Sequence, residues 1–167
     1  MSQSLEEKVQ YLLDRFEIQD VIARYGLGQD LHLPENDPSP ADQWNDVFAD
    51  DAIIDYSEVG FPPSVTVAEL TTMMRGEDGK TGGMALMFSS WQHMEMYGNV
   101  TVDGDTATSI TPHLHTHPLK DGEGNTLAAG IWHDKWERRP EGWRIVHRRL
   151  QDVYVQTLKS MEFKAEL

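Results

Sequence analysis

The stretch WQHMEMYGNVTVDGDTATSITPHLHTHPL, residues 91–119, decides how the second half of this chain folds. Two residue types alternate along its first run. Met94, Met96, Val100 and Val102 have one parity, and His93, Glu95, Tyr97 and Asn99 have the other. Successive side chains of a strand point to opposite faces, so each set is expected to share a face. Asp103, Gly104 and Asp105 follow, a turn of the kind that joins adjacent antiparallel strands. In the second run His113, His115 and His117 share one face, and Ala107, Ser109 and Thr111 extend it if Pro112 introduces no bulge. Register around the turn decides whether the two polar faces coincide.

The pattern continues downstream. The turn KDGEGN leads into TLAAGIWHDKWERR, and the turn PEG into WRIVHRRLQDVYVQTL, which completes an antiparallel meander. Upstream the period changes to that of a helix. LEEKVQYLLDRFEIQDVIARYGLGQD places Ile18, Val21, Ile22 and Tyr25 on one stripe, with Gly26 and Gly28 weakening its last turn. The loop LPENDPSP separates it from a short predicted helix in SPADQWNDVFADDA, with Trp44, Val47 and Phe48 on one side. AIIDYS reads as a first strand, SVTVAELTTMMRG as a third helix and GEDGKTGG as a mobile loop. Helices first and a curled sheet afterwards predict one α+β domain over residues 1–167.

Composition narrows the function. Lys and Arg number 14 against 28 Asp and Glu, a net charge of −14, which disfavours nucleic acid and anionic membranes as partners. The absence of cysteine removes disulfides, thiolate metal ligands and a cysteine nucleophile. No apolar run approaches the ~20 residues that span a bilayer, and MSQSLEEKVQ lacks a basic segment followed by an apolar core. A cytoplasmic protein is the expectation.

Three readings of the histidine row stay open. A strand polar on one side and apolar on the other describes a half-solvated sheet. Imidazoles at alternate positions can converge on zinc, with His93 or Glu95 completing the shell. The third reading needs a carboxylate beside an imidazole. Asp30 lies at the end of the first helix, where the helix dipole disfavours an ionised carboxylate. Against an imidazole of the sheet it would orient the ring and make it a competent general base.

Four segments in order, RFEIQDVIARYGLGQD, FADDAIIDY, QHMEMYGNVTVDGDTAT and WHDKWERRPEGWRIVHRRL, resemble the SnoaL-like polyketide cyclase and scytalone dehydratase group of the nuclear transport factor two-like superfamily. The resemblance covers nearly the whole chain. It implies a cone-shaped barrel, in which a strongly bent, mostly antiparallel mixed sheet packs on three or four N-terminal helices around an apolar pocket. It also implies that Asp30 holds His93, which removes a proton from the substrate. By the same resemblance His113 or His115 supplies a further pocket histidine, Tyr25 and Tyr56 point phenols into the pocket, and Arg148 matches an arginine near the end of the final strand. Glu95, beside His93, reads as a second base or a solvated residue, and Trp132 as core or pocket wall; both are carried forward with Arg148 as candidate substrate contacts.

The expected function is a lyase of the dehydratase type, or an isomerase, acting without metal or cofactor on a small, mostly apolar cyclic molecule. The alternatives are a metal-dependent hydrolase or oxygenase using His113, His115 and His117, and a non-catalytic binding module or accessory subunit. A homodimer or homotrimer built through the outer sheet face is expected from the same resemblance.

Overall fold

The computed structural model describes residues 4–31, 44–77 and 82–159. Helix α1 (Leu5–Leu31) begins on a capping box, in which the Ser4 hydroxyl accepts from the Glu7 amide and the Glu7 carboxylate accepts from the Ser4 amide. Its buried stripe runs Asp14, Ile18, Val21, Ile22, Tyr25, Gly26 and Gln29, the three-and-four spacing of one face. The two glycines do not end it. A Cβ at Gly26 would lie 3.2 Å from the Glu95 Cγ and from the His93 carbonyl oxygen. This glycine thus lets the helix press against the sheet, which offsets the ~1 kcal/mol that glycine costs inside a helix.

Strand β1 (Phe48–Asp55) follows, then helix α2 (Val67–Arg75), opened by a second capping box between Thr66 and Glu69. Single 3-10 turns occupy Ser57–Val59 and Gly83–Leu86. Where the sequence suggests three or four helices, the described residues contain two α-helices. Trp44 to Val47 form a turn, and Phe48 already belongs to β1. The loop read at 33–40, residues 78–81 of the loop read at 76–83, and residues 160–167 lie outside the described residues.

The sheet contains β2 (Gln92–Glu95), β3 (Asn99–Asp103), β4 (Thr106–Pro118), β5 (Gly124–Arg139) and β6 (Gly142–Lys159), in the order β1-β6-β5-β4-β2, with β3 also on β4. Among the described strands only β1 on β6 is parallel, so the sheet is mixed and mostly antiparallel; it is open rather than closed. No helix among the described residues is long and apolar enough to cross a membrane.

The run 91–102 is two strands rather than one, and the break decides which side chains face inward. Glu95 pairs with His113 but Asn99 pairs with Ile110, so one extra residue is accommodated on this side of the ladder. This is a bulge, and a one-residue slip exchanges the faces. His93 and Glu95 point inward before it and Val100 after it; Tyr97 and Asn99 are exposed.

Two features place the bulge. Pro112 lies opposite, with a carbonyl that accepts from the Met96 amide but no N–H to return. Gln19 of α1 then satisfies the freed backbone of Gly98, donating to its carbonyl at 2.8 Å and accepting from its amide at 3.1 Å. A Cβ at Gly98 would lie 2.5 Å from the Thr111 hydroxyl, so only glycine fits here. On the β5 side β4 continues through Pro112 without interruption, and Ala107, Ser109, Thr111 and the three histidines all face inward.

Candidate active site

Between α1 and the concave face of β4 and β5 lies a cavity of about 240 Å³. Its polar lining includes Tyr25, Gln29, Tyr56, His93, His113, His115, His117 and Thr126, and its apolar wall includes Phe61, Met74, Phe88, Trp132 and Leu150. The half-solvated reading of the histidine strand is therefore overturned. The histidine face is buried, and Met94 and Met96 face solvent.

Asp30, in the last turn of α1, meets His93 of β2. Its Oδ1 lies 2.6 Å from His93 Nδ1, and both carboxylate oxygens accept from the His93 backbone amide at 3.0 and 2.9 Å. The amide and ring contacts together offset the unfavourable position of an acid at a helix C-terminus. With Nδ1–H donated to Asp30, the lone pair of His93 is on Nε2. The His93 side chain is 3 % exposed and stacks on Trp91 at 5.8 Å. Because Gly26 is four residues before Asp30, the close approach it permits brings the carboxylate within reach of the strand.

The two phenols meet across the same cavity, with 3.0 Å between the Tyr25 and Tyr56 hydroxyls, and Gln29 donates to the Tyr25 oxygen at 3.1 Å. Burial raises the pKa of both, that of Tyr56 well above 10, so both are hydrogen-bond donors at neutral pH rather than phenolates.

The family model of the SnoaL-like domain matches residues 10–149. The chain belongs to the SnoaL-like domain family. An uncharacterized protein of Mycobacterium tuberculosis, Rv2910c, is 29% identical over 143 residues, covering 81% of this chain and 82% of that one. The crystal structure of the Kfla4162 protein from Kribbella flavida superposes with a TM-score of 0.70 at 26% identity, covering 86% and 93% of the two chains. The hexachlorocyclohexane dehydrochlorinase LinA-type3 of Novosphingobium barchaimii gives 0.70 at 17% identity, covering 93% and 97%. At that identity the likeness is one of fold.

In this SnoaL-like domain the remaining pocket imidazoles are held neutral. Burial, then the neighbouring His115, pushes His113 down to about 3. Burial, then His93, pushes His117 down to about 4 and His115 well below its ordinary value. Burial thus disfavours the protonated form in which the sequence reading had His113 or His115 hand a proton to a leaving group, and both rings line the cavity.

A pH dependence follows. The unfolded chain binds protons at His117 and His113 near pH 6.5, and the folded chain binds them only near pH 4 and 3 respectively. Below 6.5 the unfolded state holds more protons, so stability falls as pH falls. In chelator-containing buffer the urea midpoint should drop between pH 7 and pH 5, and His113→Phe should flatten that slope.

The SnoaL-like pocket also constrains its glycines. Gly130 of β5 pairs with His113, and a Cβ there would lie 2.4 Å from His113 Nε2, 2.9 Å from Leu150 Cδ1 and 3.0 Å from the Gln151 carbonyl oxygen. Gly130→Ala is expected to cost about 1–3 kcal/mol in urea unfolding and to push the His113 ring into the cavity.

Arg148 and Glu95, read from sequence as substrate contacts, lie one layer behind the cavity wall. Arg148 forms two hydrogen bonds to Asp134, at 2.8 and 2.9 Å, and sits 4.2 Å from the Tyr25 ring and 4.6 Å from the Trp132 ring. Glu95 accepts from Trp132 Nε1 at 2.8 Å and is 3.0 Å from His115 Nε2. Burial holds its pKa above the ordinary carboxylate range against the opposing pull of Arg148. Both residues brace the ring systems that do line the cavity. The sequence reading assigned no part to Asp134, although an acid between Trp132 and Trp136 on an inward face is a signal for a buried cation.

Proposed function

We propose that this SnoaL-like protein is a lyase of the elimination type, acting on a small, mostly apolar cyclic molecule with His93 as general base. The observation that carries the reading is the 2.6 Å contact that fixes His93 on Asp30 beside an apolar cavity containing two neutral phenols. His93 Nε2 takes a proton from carbon; the C–H electron pair becomes the new double bond, and the leaving group departs with its bonding pair. Asp30 stabilises the imidazolium that forms. Gln29 donates into the Tyr25 oxygen, and the two phenols share one hydrogen bond in which either can be the donor, so one proton of the pair is left for a substrate oxygen. With a carbonyl substrate that lacks a leaving group, the same groups return the proton to another carbon, which is isomerisation.

Its volume puts the cavity below the ~300–1,000 Å³ usual for drug-sized ligands, which favours one- or two-ring substrates. The fold likeness to a protein named as a dehydrochlorinase supports an elimination. The direct test is solvent exchange, which requires only the base. Cyclic ketones incubated with the protein in D₂O should lose their α-proton signals faster than in buffer, and cyclic β-hydroxy ketones or chlorinated cyclohexanes should release water or chloride. A panel of such rings showing neither process above the buffer rate would sink the proposal.

A further inference from the structure

The histidines that converge are not the three that are consecutive on the strand. His93, His115 and His117 each present a ring nitrogen, and these atoms lie within 4.8 Å of one another. β2 brings His93 directly opposite His115, at 4.0 Å between ring centroids, while His113 turns aside to stack on Trp132 at 4.1 Å.

Two of the three rings are already held by acids, each through one nitrogen. Asp30 takes His93 Nδ1 and Glu95 takes His115 Nε2, which leaves His93 Nε2 and His115 Nδ1 without a carboxylate. Among the described residues, His117 Nε2 is buried with no hydrogen-bond partner. Carboxylates placed on the far nitrogen are how metal-binding imidazoles are oriented. Apolar rings surround the group, with Trp91 against His93 and Phe88 4.8 Å from His117.

We propose that His93, His115 and His117 bind one divalent first-row transition ion, zinc above all, with a coordination position open to the cavity. Three nitrogen donors suit zinc and its neighbours; calcium and magnesium require oxygen. Nitrogens bound to one zinc at about 2.0–2.1 Å lie roughly 3.4 Å apart. Closure onto an ion thus needs a movement on the order of an ångström, which His117, held by no carboxylate, can make by rotating. The ion would occupy the lone pair of His93 that the elimination uses, so metal and proton compete for one nitrogen. The inference rests on the convergence of the three rings and not on the elimination, which His93 can carry out only when it holds no ion.

The test is calorimetric titration of tag-free, chelator-stripped and dialysed protein with zinc chloride, with cobalt(II) absorption as the second readout. One zinc per chain is expected, together with the intense visible bands of four-coordinate cobalt. Asp30→Asn should weaken zinc about 10–100-fold; His117→Ala and His117→Gln should remove the site, and His113→Ala should keep it. Wild-type protein without saturable binding would overturn the proposal and leave the exchange assay untouched. Retention of zinc in both His117 variants, or its loss in a folded His113→Ala protein, would also overturn it.

Discussion

Replacing His93 with alanine is expected to slow proton abstraction by about 10²–10⁴-fold while the protein remains folded. The ring is removed, but Asp30 keeps the backbone amide of residue 93 as a donor to both oxygens, so the acid is not left unpaired. Asp30→Asn should fall in a similar range for a different reason. An asparagine can place its NH₂ against Nδ1, which must then accept; the ring proton moves to Nε2, and the nitrogen facing the substrate no longer has a lone pair. The two variants therefore separate base from positioning residue. Raising pH should not restore His93→Ala, and a small exogenous imidazole should restore part of it, whereas Asp30→Asn should gain little from imidazole. The measurement is the α-proton exchange rate alongside circular dichroism. If folded His93→Ala exchanges at the wild-type rate, His93 is not the base; if folded Asp30→Asn does, Asp30 does not set the tautomer of His93.

Which parts of this site could be read from the sequence depends on how far apart the deciding residues lie. The α1 stripe and the hairpin turn follow from local periodicity. Residues 63 positions apart meet in the Asp30 and His93 pair, which was reached only through resemblance to a family. The parity of the strand after residue 95 was misread because the bulge is not written in residues 91–102 alone. Pro112 withholds a donor across the ladder, and Gln19, from a helix 79 residues away, supplies the replacement partner for Gly98. Met94 and Met96 then look like core on any hydropathy scale, yet they face solvent because the helix covers the other side. The choice of the inner face was made by the aromatic residues of β5 and by Tyr25, which no pattern within β2 encodes. The metal-capable set was legible only in part for the same reason: the sequence lets His93 complete a shell of strand histidines, but adjacency favours His113, which pairing between strands replaces with His93.

The largest effect on stability is expected at Arg148 and Asp134. Both side chains are 0 % exposed, and they face each other across β5 and β6 in direct register. Arg148→Met removes the cation but leaves Asp134 buried without its counter-charge, which should cost about 3–5 kcal/mol. Asp134→Asn strands the guanidinium in the same way, between the rings of Tyr25, Phe48 and Trp132. The pair itself gains less than those losses imply, because both ions give up their hydration on burial. The double variant Arg148→Met with Asp134→Asn should therefore be more stable than the sum of the single losses predicts, by an amount on the order of 1–3 kcal/mol. A chain of this size loses roughly 2–4 °C of Tm per kcal/mol, so each single variant should melt roughly 6–20 °C lower. Urea unfolding of the four proteins closes the cycle. Strict additivity would mean that Asp134 is satisfied by groups other than Arg148, and the cation would then act on the site only through its position behind Tyr25 and Trp132. Coupling, by contrast, makes the ion pair the brace against which those two rings are set, and exchange activity should fall in the double variant even where its stability recovers.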